Sequence, residues 1–341
     1  MAVRAFITGL SGPEITADER AFLRAAEPWG LILFKRNIAT PDQVSALTRA
    51  FREIAGRADA PVLIDQEGGR VQRLGPPHWP AYPPGAAYGR LYARDRALGL
   101  AAARLGGRLI AADLADLGIT VDCLPVADVP VPGSDAVIGD RAFGDTPAQV
   151  AALADAITAG LAEGGVLPVL KHLPGHGRAT ADSHIGLPVV GTDRATLEST
   201  DFAAFRPLSG LVLGMTAHVV FTALDPALPA TTSATIIGHV IRGFIGFDGV
   251  LMTDDLSMGA LSGTLAERTR AALAAGCDVA LHCNGNLAEM EAVASAAPAL
   301  AGTAAKRAAA ALGTRQAPAP LDRAAARAEF ARMMAVSETG S

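Results

Sequence analysis

Eight short apolar runs recur along the chain, and Ala-rich amphipathic stretches lie between them. The runs are Val3–Thr8, Gly30–Phe34, Pro61–Asp65, Thr120–Pro125, Val166–Lys171, Leu211–His218, Gly249–Thr253 and Asp278–His282. This alternation leaves few architectures. Each helix carries the chain back so that the next strand pairs in parallel, giving a parallel sheet covered by helices. Eight repeats favour the α/β class in its closed (β/α)8 TIM-barrel form over an open, doubly wound sheet. An open sheet would bind its ligand at a switch point, often with GxGxxG after the first strand. Here the first strand runs into GLSGPE, which lacks that spacing.

Several helices announce their ends. TPDQVSALTRAFREIAGR and TPAQVAALADAITAGLAEGG open on Thr-Pro, an N-cap followed by Pro at the first helical position. TLAERTRAALAAG runs into a Gly suited to a C-cap. No linker rich in Gly, Ser or Pro divides the 341 residues. Residues 1–341 therefore read as a single barrel domain, with a terminal helix over 321–336 and a frayed SETGS tail. Half the residues are apolar and 18% are charged, which excludes a disordered chain. The net charge of −5 is spread without a basic block, so neither nucleic acid nor an anionic membrane is the expected partner. The uncharged window from Pro207 to Leu224 is broken by Pro207, Gly210, Gly214 and His218. It reads as a buried strand with flanking loops, not a membrane span. Cys123, Cys277 and Cys283 form no CxxC pair and suit small core positions. With no signal-peptide pattern at the start, the expectation is a monomeric, cofactor-free protein in a reducing cytoplasm.

Barrel chemistry sits at the C-terminal ends of the strands. Strand two is followed by Lys35-Arg36-Asn37, and strand three by Asp65-Gln66-Glu67 with Arg70 and Arg73 beyond. Strand four brings Asp122 and Asp128, strand five Lys171-His172, and strand six His218. Strand seven ends in Asp254-Asp255, and strand eight in His282 and Asn284. Seven strands thus point polar groups at one rim, which reads as one polar cavity. Two long connections, Gly68 to Arg94 and Leu173 to Asp193, are the candidate functional loops.

The segment KHLPGHGRATADSHIGLP is the densest in chemistry. His172 and His176 are four apart, the spacing of a helical metal pair, but Pro174 and Gly175 argue against a helix there. A metal site using His172, His176, His184 and Asp254 stays open as an alternative, as does a barrel that only binds sugar. Asp182 precedes His184 by two residues, so in an extended loop both side chains face one way. A carboxylate partner orients an imidazole and stabilises its charged form, as a general acid needs. A solvated loop with a turn-forming Asp fits the same residues. Asp254 ends a buried run and suits a nucleophile, a metal ligand or a sugar-hydroxyl acceptor. Asp255 suits the cap of a helix starting near Ser257.

IDQEGGRVQRL, RAFG, KHLPGHG, DSHIGLP, MTAHVVF and TDDLSM follow one another in an order and at spacings that resemble a known family. The chain looks like a bacterial β-N-acetylglucosaminidase of glycoside hydrolase family 3, over roughly residues 5 to 290. The resemblance implies a retaining exo-glycosidase of peptidoglycan recycling, with ties to cell-wall biogenesis and cell division. Its implied substrate is N-acetylglucosamine joined β-1,4 to 1,6-anhydro-N-acetylmuramic acid, with or without peptide. It makes Asp254 the nucleophile, His184 the general acid/base and Asp182 the partner of His184. Asp65, Arg73, Arg141, Lys171 and His172 become the residues that hold the terminal sugar. With His184 in that role, the long loop from Leu173 to Asp193, which also holds the glycine-rich GHG, is expected to be mobile. The sequence departs from the pattern at Leu173, where Phe is common, and at Gly259, where Glu is common. Neither departure touches a named catalytic role.

Overall fold

A computed structural model describes residues 3–336. Its eight barrel strands are β1 (Arg4–Thr8), β2 (Pro28–Leu33), β3 (Val62–Ile64), β4 (Val121–Asp122), β5 (Leu167–Leu173), β6 (Leu213–Thr216), β7 (Val250–Asp255) and β8 (Val279–His282). They close in sequence order into one parallel barrel. β8 returns to β1 with Phe6 opposite Ala280, Ile7 opposite Leu281 and Thr8 opposite His282. The expected (β/α)8 barrel is the fold.

The strands read as continuous apolar runs because both of their faces are buried. Ile7, Ile32, Leu63, Val169, Met252 and Leu281 fill the barrel interior. Their neighbours Phe6, Leu31, Leu33, Ile64, Leu170 and Leu251 belong to the layer between strands and helices. The period of two places consecutive side chains in different cores.

The helix-end signals hold. Thr40 caps Pro41–Ala55, which stops at Gly56 in the left-handed conformation. Thr146 caps Pro147–Glu163, and Thr264 caps Leu265–Ala275 with a reciprocal Glu267 bond. The terminal helix spans Arg323–Ala335, capped by Asp322, and its Phe330 ring rests against Tyr82 and Tyr88. The SETGS tail lies outside the described residues. A helix over Gly302–Gly313, absent from the sequence reading, sends Ala308 and Ala311 into the inner core beside Trp29. The 207–224 window holds β6 and a two-residue strand at Val220–Phe221. Among the described residues no helix is long and apolar enough to cross a membrane.

β5 runs two residues further than expected. Leu173 still pairs with Thr216 and is fully buried, so the strand carries Lys171 and His172 within it. The unusual loop begins only after it.

Candidate active site

The C-terminal mouth of the barrel holds a cavity of about 760 Å³. Asp65, Arg73, Arg141, Lys171, His172, Asp182, His184 and Asp254 all line it. Every residue singled out from the sequence as catalytic or sugar-binding therefore meets in one space.

The segment after β3 is folded to deliver Asp65 and Arg73 together. Residues 66–68 turn back onto 71–72 through Gly68 and Gly69, both at positive φ. A Cβ on Gly68 would stand 2.3 Å from the carbonyl oxygen of Pro83, so only glycine fits. The Gln66 side chain then ties the hairpin shut. Its carbonyl accepts the N–H groups of Arg73 and Leu74 at 3.0 Å each, and its amide donates to the Leu74 carbonyl.

An alternating ladder of charge forms the cavity floor, tied together from beneath by Glu67. Arg73 donates to Asp65 at 2.8 Å, and Lys171 bridges Asp65 at 3.1 Å and Glu67 at 2.6 Å. Arg141 forks onto both Glu67 oxygens at 2.8 Å. Lys171 and Glu67 are almost fully buried. Burial pushes the Asp65 and Glu67 carboxyls up, and the surrounding cations more than reverse this. Lys171 and Arg73 hold Asp65 far below the usual carboxylate range. Arg141 and Lys171 hold Glu67 at about 2. Desolvation lowers Lys171, but Glu67 and Asp65 raise it well above an ordinary lysine. The floor is a fully ionised, preorganised set of donors and acceptors suited to sugar hydroxyls. The sequence placed Glu67 on the rim but assigned it no role beside Lys171 and Arg141. Its only signal was its place two residues after Asp65, on the same side of the chain.

Asp254 stands at the end of β7. Its Oδ1 accepts the backbone N–H of Asp255 at 2.8 Å, and among the described residues Oδ2 has no protein hydrogen-bond partner. Burial raises its pKa, but His172, His218, the Asp255 N–H and Lys171 together hold it below the usual range. It is an ionised carboxylate with a free oxygen. Beside it, His172 is oriented by Asp128, whose Oδ2 lies 2.6 Å from Nδ1. That bond turns Nε2 away from Asp128. The same carboxylate accepts the N–H of His176 at 2.6 Å, fixing the turn after β5.

Asp182 and His184 come from the loop between β5 and Val189. Asp182 Oδ1 lies 2.7 Å from Nδ1 of His184 and also accepts the His184 N–H at 2.9 Å. The expected partnership is present, but an extended strand does not make it. The N–H groups of Ile185 and Gly186 both donate to the Asp182 carbonyl, so this is a tight turn. The His184 side chain is 64% exposed.

Several rim residues do other work. His218 lies beneath the cavity: its Nε2–H donates to the Asp255 carbonyl, and Nδ1 lies 2.7 Å from the Thr231 hydroxyl. Burial lowers its pKa, against the opposing pull of the nearby Asp254 and Asp255. Asp122 and His282 are buried below the floor, and Asp128 is buried behind His172. Strand spacing gives the rim a residue reaches, not the depth at which its side chain sits. Asp255 caps no helix; its carboxylate binds Ser257 and the Cys283 N–H, and the next helix starts at Leu265. Arg36, Cys283 and Asn284 also line the cavity. Cys283 thus faces the cavity, while burial drives its thiol pKa well up. Among the described residues no cluster of three or more His, Cys, Asp or Glu is arranged to hold a metal. His176 instead spends Nε2 on Ser183. Gly259, assigned no catalytic role from the sequence, backs directly onto the His184 carbonyl.

Comparison with known proteins identifies the family. The glycosyl hydrolase family 3 N-terminal domain matches residues 3–311. A beta-hexosaminidase of Alkalilimnicola ehrlichii is 42% identical over 290 residues, covering 83% of this chain and 82% of its own. A beta-hexosaminidase of Methylococcus capsulatus is 42% identical over 282 residues, covering 81% of each. Among solved structures, NagZ of Neisseria gonorrhoeae in complex with N-trifluoroacetyl-D-glucosamine has a TM-score of 0.83 at 31% identity. That likeness covers 99% of this chain and 98% of the other.

Proposed function

This chain belongs to glycosyl hydrolase family 3, and from that premise we propose a retaining, two-step removal of terminal β-linked N-acetylglucosamine. The enzyme is a beta-hexosaminidase. The observation that carries the mechanism is the meeting of Asp254 and the Asp182–His184 pair in one cavity with an ionised, hydroxyl-binding floor.

The terminal sugar sits on Asp65, Arg73, Arg141, Lys171 and His172. Asp254 attacks the anomeric carbon through its free carboxylate oxygen while His184 gives a proton to the leaving oxygen. A glycosyl-aspartate forms and the aglycone leaves. His184, now deprotonated, takes a proton from water, which attacks the same carbon. The sugar departs with its β configuration retained, and Asp254 and His184 return to their starting states. Retaining glycosidases normally pair two carboxyl groups. Here an imidazole held by Asp182 fills the second role. The charged floor anchors the sugar so that its ring can be strained toward the oxocarbenium-like transition state.

The natural substrate in this reading is a muropeptide fragment, N-acetylglucosamine linked to 1,6-anhydro-N-acetylmuramic acid. The enzyme acts as one monomeric catalytic barrel in cytoplasmic peptidoglycan recycling, without cofactor. The loop bearing His184 swings over the bound sugar; the exposure of His184, Ile185 and Leu187 supports this. Hydrolysis of 4-nitrophenyl N-acetyl-β-glucosaminide, with and without EDTA, tests the class. EDTA-insensitive release is expected. No release would favour a sugar-binding barrel, and loss with EDTA a metal hydrolase. Assay of the anhydro-disaccharide with and without peptide then tests the aglycone.

A further inference from the structure

The hairpin that presents Asp65 and Arg73 lies on the segment 80–84, which has few backbone donors with which to anchor itself. Pro80, Pro83 and Pro84 carry no N–H. Tyr82 makes the tie. Its N–H donates to Gln72 Oε1 at 2.8 Å, and its carbonyl accepts the Gly69 N–H at 2.8 Å. The Gln72 amide adds a bond to the Pro80 carbonyl at 2.8 Å. One residue's backbone thus grips the hairpin at its turn and at its second strand.

The Tyr82 side chain is held in turn from outside the cavity. Its hydroxyl donates at 2.7 Å to Oδ2 of Asp113, on the helix Arg96–Ala115. Arg327 of the terminal helix pairs with the other Asp113 oxygen at 2.7 Å. The Tyr82 ring lies against Phe330 of the same terminal helix, with centroids 6.4 Å apart. A cavity of about 470 Å³ opens beside them, lined by Pro80, Tyr82, Pro83, Leu109, Phe330 and Met334 among others. The segment therefore rests on a few props with free space next to them. Loss of the Phe330 ring lets Tyr82 shift into that space, where a tightly enclosed core would hold it in place.

We propose that Phe330 is a positioning residue for the terminal sugar: it props Tyr82, whose backbone holds the hairpin that aims Asp65 and Arg73 into the active-site cavity. The proposal rests on the reading of Asp65 and Arg73 as sugar-binding residues. Its consequence falls on binding and not on chemistry, because Asp254 and the His184 turn hang on other elements. A tilted hairpin displaces Arg73 and weakens its hold on the sugar equally in the ground state and the transition state. KM then rises while kcat is kept.

The test is steady-state hydrolysis of 4-nitrophenyl N-acetyl-β-glucosaminide, with the competitive inhibition constant of free N-acetylglucosamine measured on the same enzyme. In Phe330→Ala, KM and the inhibition constant are each expected to rise about fivefold or more, with kcat within about threefold of the parent. Phe330→Leu refills most of the space and should bring both constants back to within about twofold. Tyr82→Phe removes only the Asp113 bond, so it should shift them the same way by a smaller factor. It keeps the test alive should Phe330→Ala fold poorly. Glu329→Ala, at an exposed position on the same helix, is the control and should change neither constant. A merely structural role would reduce the folded fraction, lowering the apparent kcat with both constants unchanged. That result, or the same shift in Glu329→Ala, would overturn the proposal. Arg73→Ala is measured alongside. A raised inhibition constant there without one in Phe330→Ala or Tyr82→Phe defeats the positioning role alone; no rise in Arg73→Ala defeats the sugar-binding reading as well.

Discussion

Lys171 is 2% exposed and bridges two carboxylates on the cavity floor, whereas His184 is 64% exposed and bonds to one carboxylate two residues away. The floor is built from long-range contacts. Lys171 meets Asp65 and Glu67 across more than a hundred residues, and Arg141 meets Glu67 across 74. The Asp182–His184 pair is built from short-range ones, and it meets the barrel chiefly through Ser183, Gly259 and Ala260. The difference separates two demands. Recognising a sugar needs charges fixed before the ligand arrives. Delivering a proton and then accepting one needs a group that can approach and withdraw. Changes in the floor should therefore cost stability and activity together, and changes in the loop should cost activity alone.

The largest effect is expected at the meeting point of the two. Asp254→Ala should lower kcat by at least about 10⁴-fold on every glycoside, whatever its leaving group, because both steps pass through that carboxylate. Residual turnover that still depended on leaving group would place the nucleophile elsewhere. Glu67→Gln is the sharpest probe of the floor. It leaves Lys171 and Arg141 short of a buried counter-charge, a loss on the order of 3–5 kcal/mol, or roughly 5–10 °C in Tm. Calorimetry checks this, and an unchanged Tm would break the comparison. His184→Ala is its counterpart. Phenyl glycoside turnover should fall about 10²- to 10⁴-fold, with Tm within roughly 2 °C of the parent.

The smallest effect is in pH dependence. Glu67 has a folded-state value near 2, against an ordinary value of 4.5. A depressed carboxylate contributes stability above its free value, and the contribution fades as pH falls toward the folded value. The parent should lose part of its Tm between about pH 4.5 and pH 2 as Glu67 takes up its proton, and Glu67→Gln should show a shallower slope there. Identical slopes would mean that the ladder is not linked to folding in that window.

Much of this was legible in the sequence. The eight strands could be read because both faces of each are apolar, and the helix ends because Thr40, Thr146 and Thr264 are capping residues at the right places. Asp65, Lys171 and Asp254 could be placed on one rim because strand ends in a parallel barrel share it. What escaped was tertiary. Glu67 acts through Lys171 and Arg141, which are distant in the chain, and nothing local marks it as their partner. The Asp182–His184 contact was foreseen with the wrong backbone, because i and i+2 side chains converge in this turn as they do in a strand. The 302–313 helix lacks a side-chain N-cap, which left its Ala-rich stretch without a start signal.

The central claim is that Asp254 forms a covalent bond to the sugar while the floor holds it and the loop supplies the proton. The most direct measurement is mass analysis of the enzyme after reaction with an N-acetylglucosaminyl fluoride fluorinated at the ring, which slows release of the intermediate. The account predicts a single glycosyl adduct that maps to the peptide containing Asp254. It should be absent in Asp254→Ala and persist in His184→Ala, since fluoride leaves without a proton. An adduct on another residue, or a product released with inverted configuration, would contradict it.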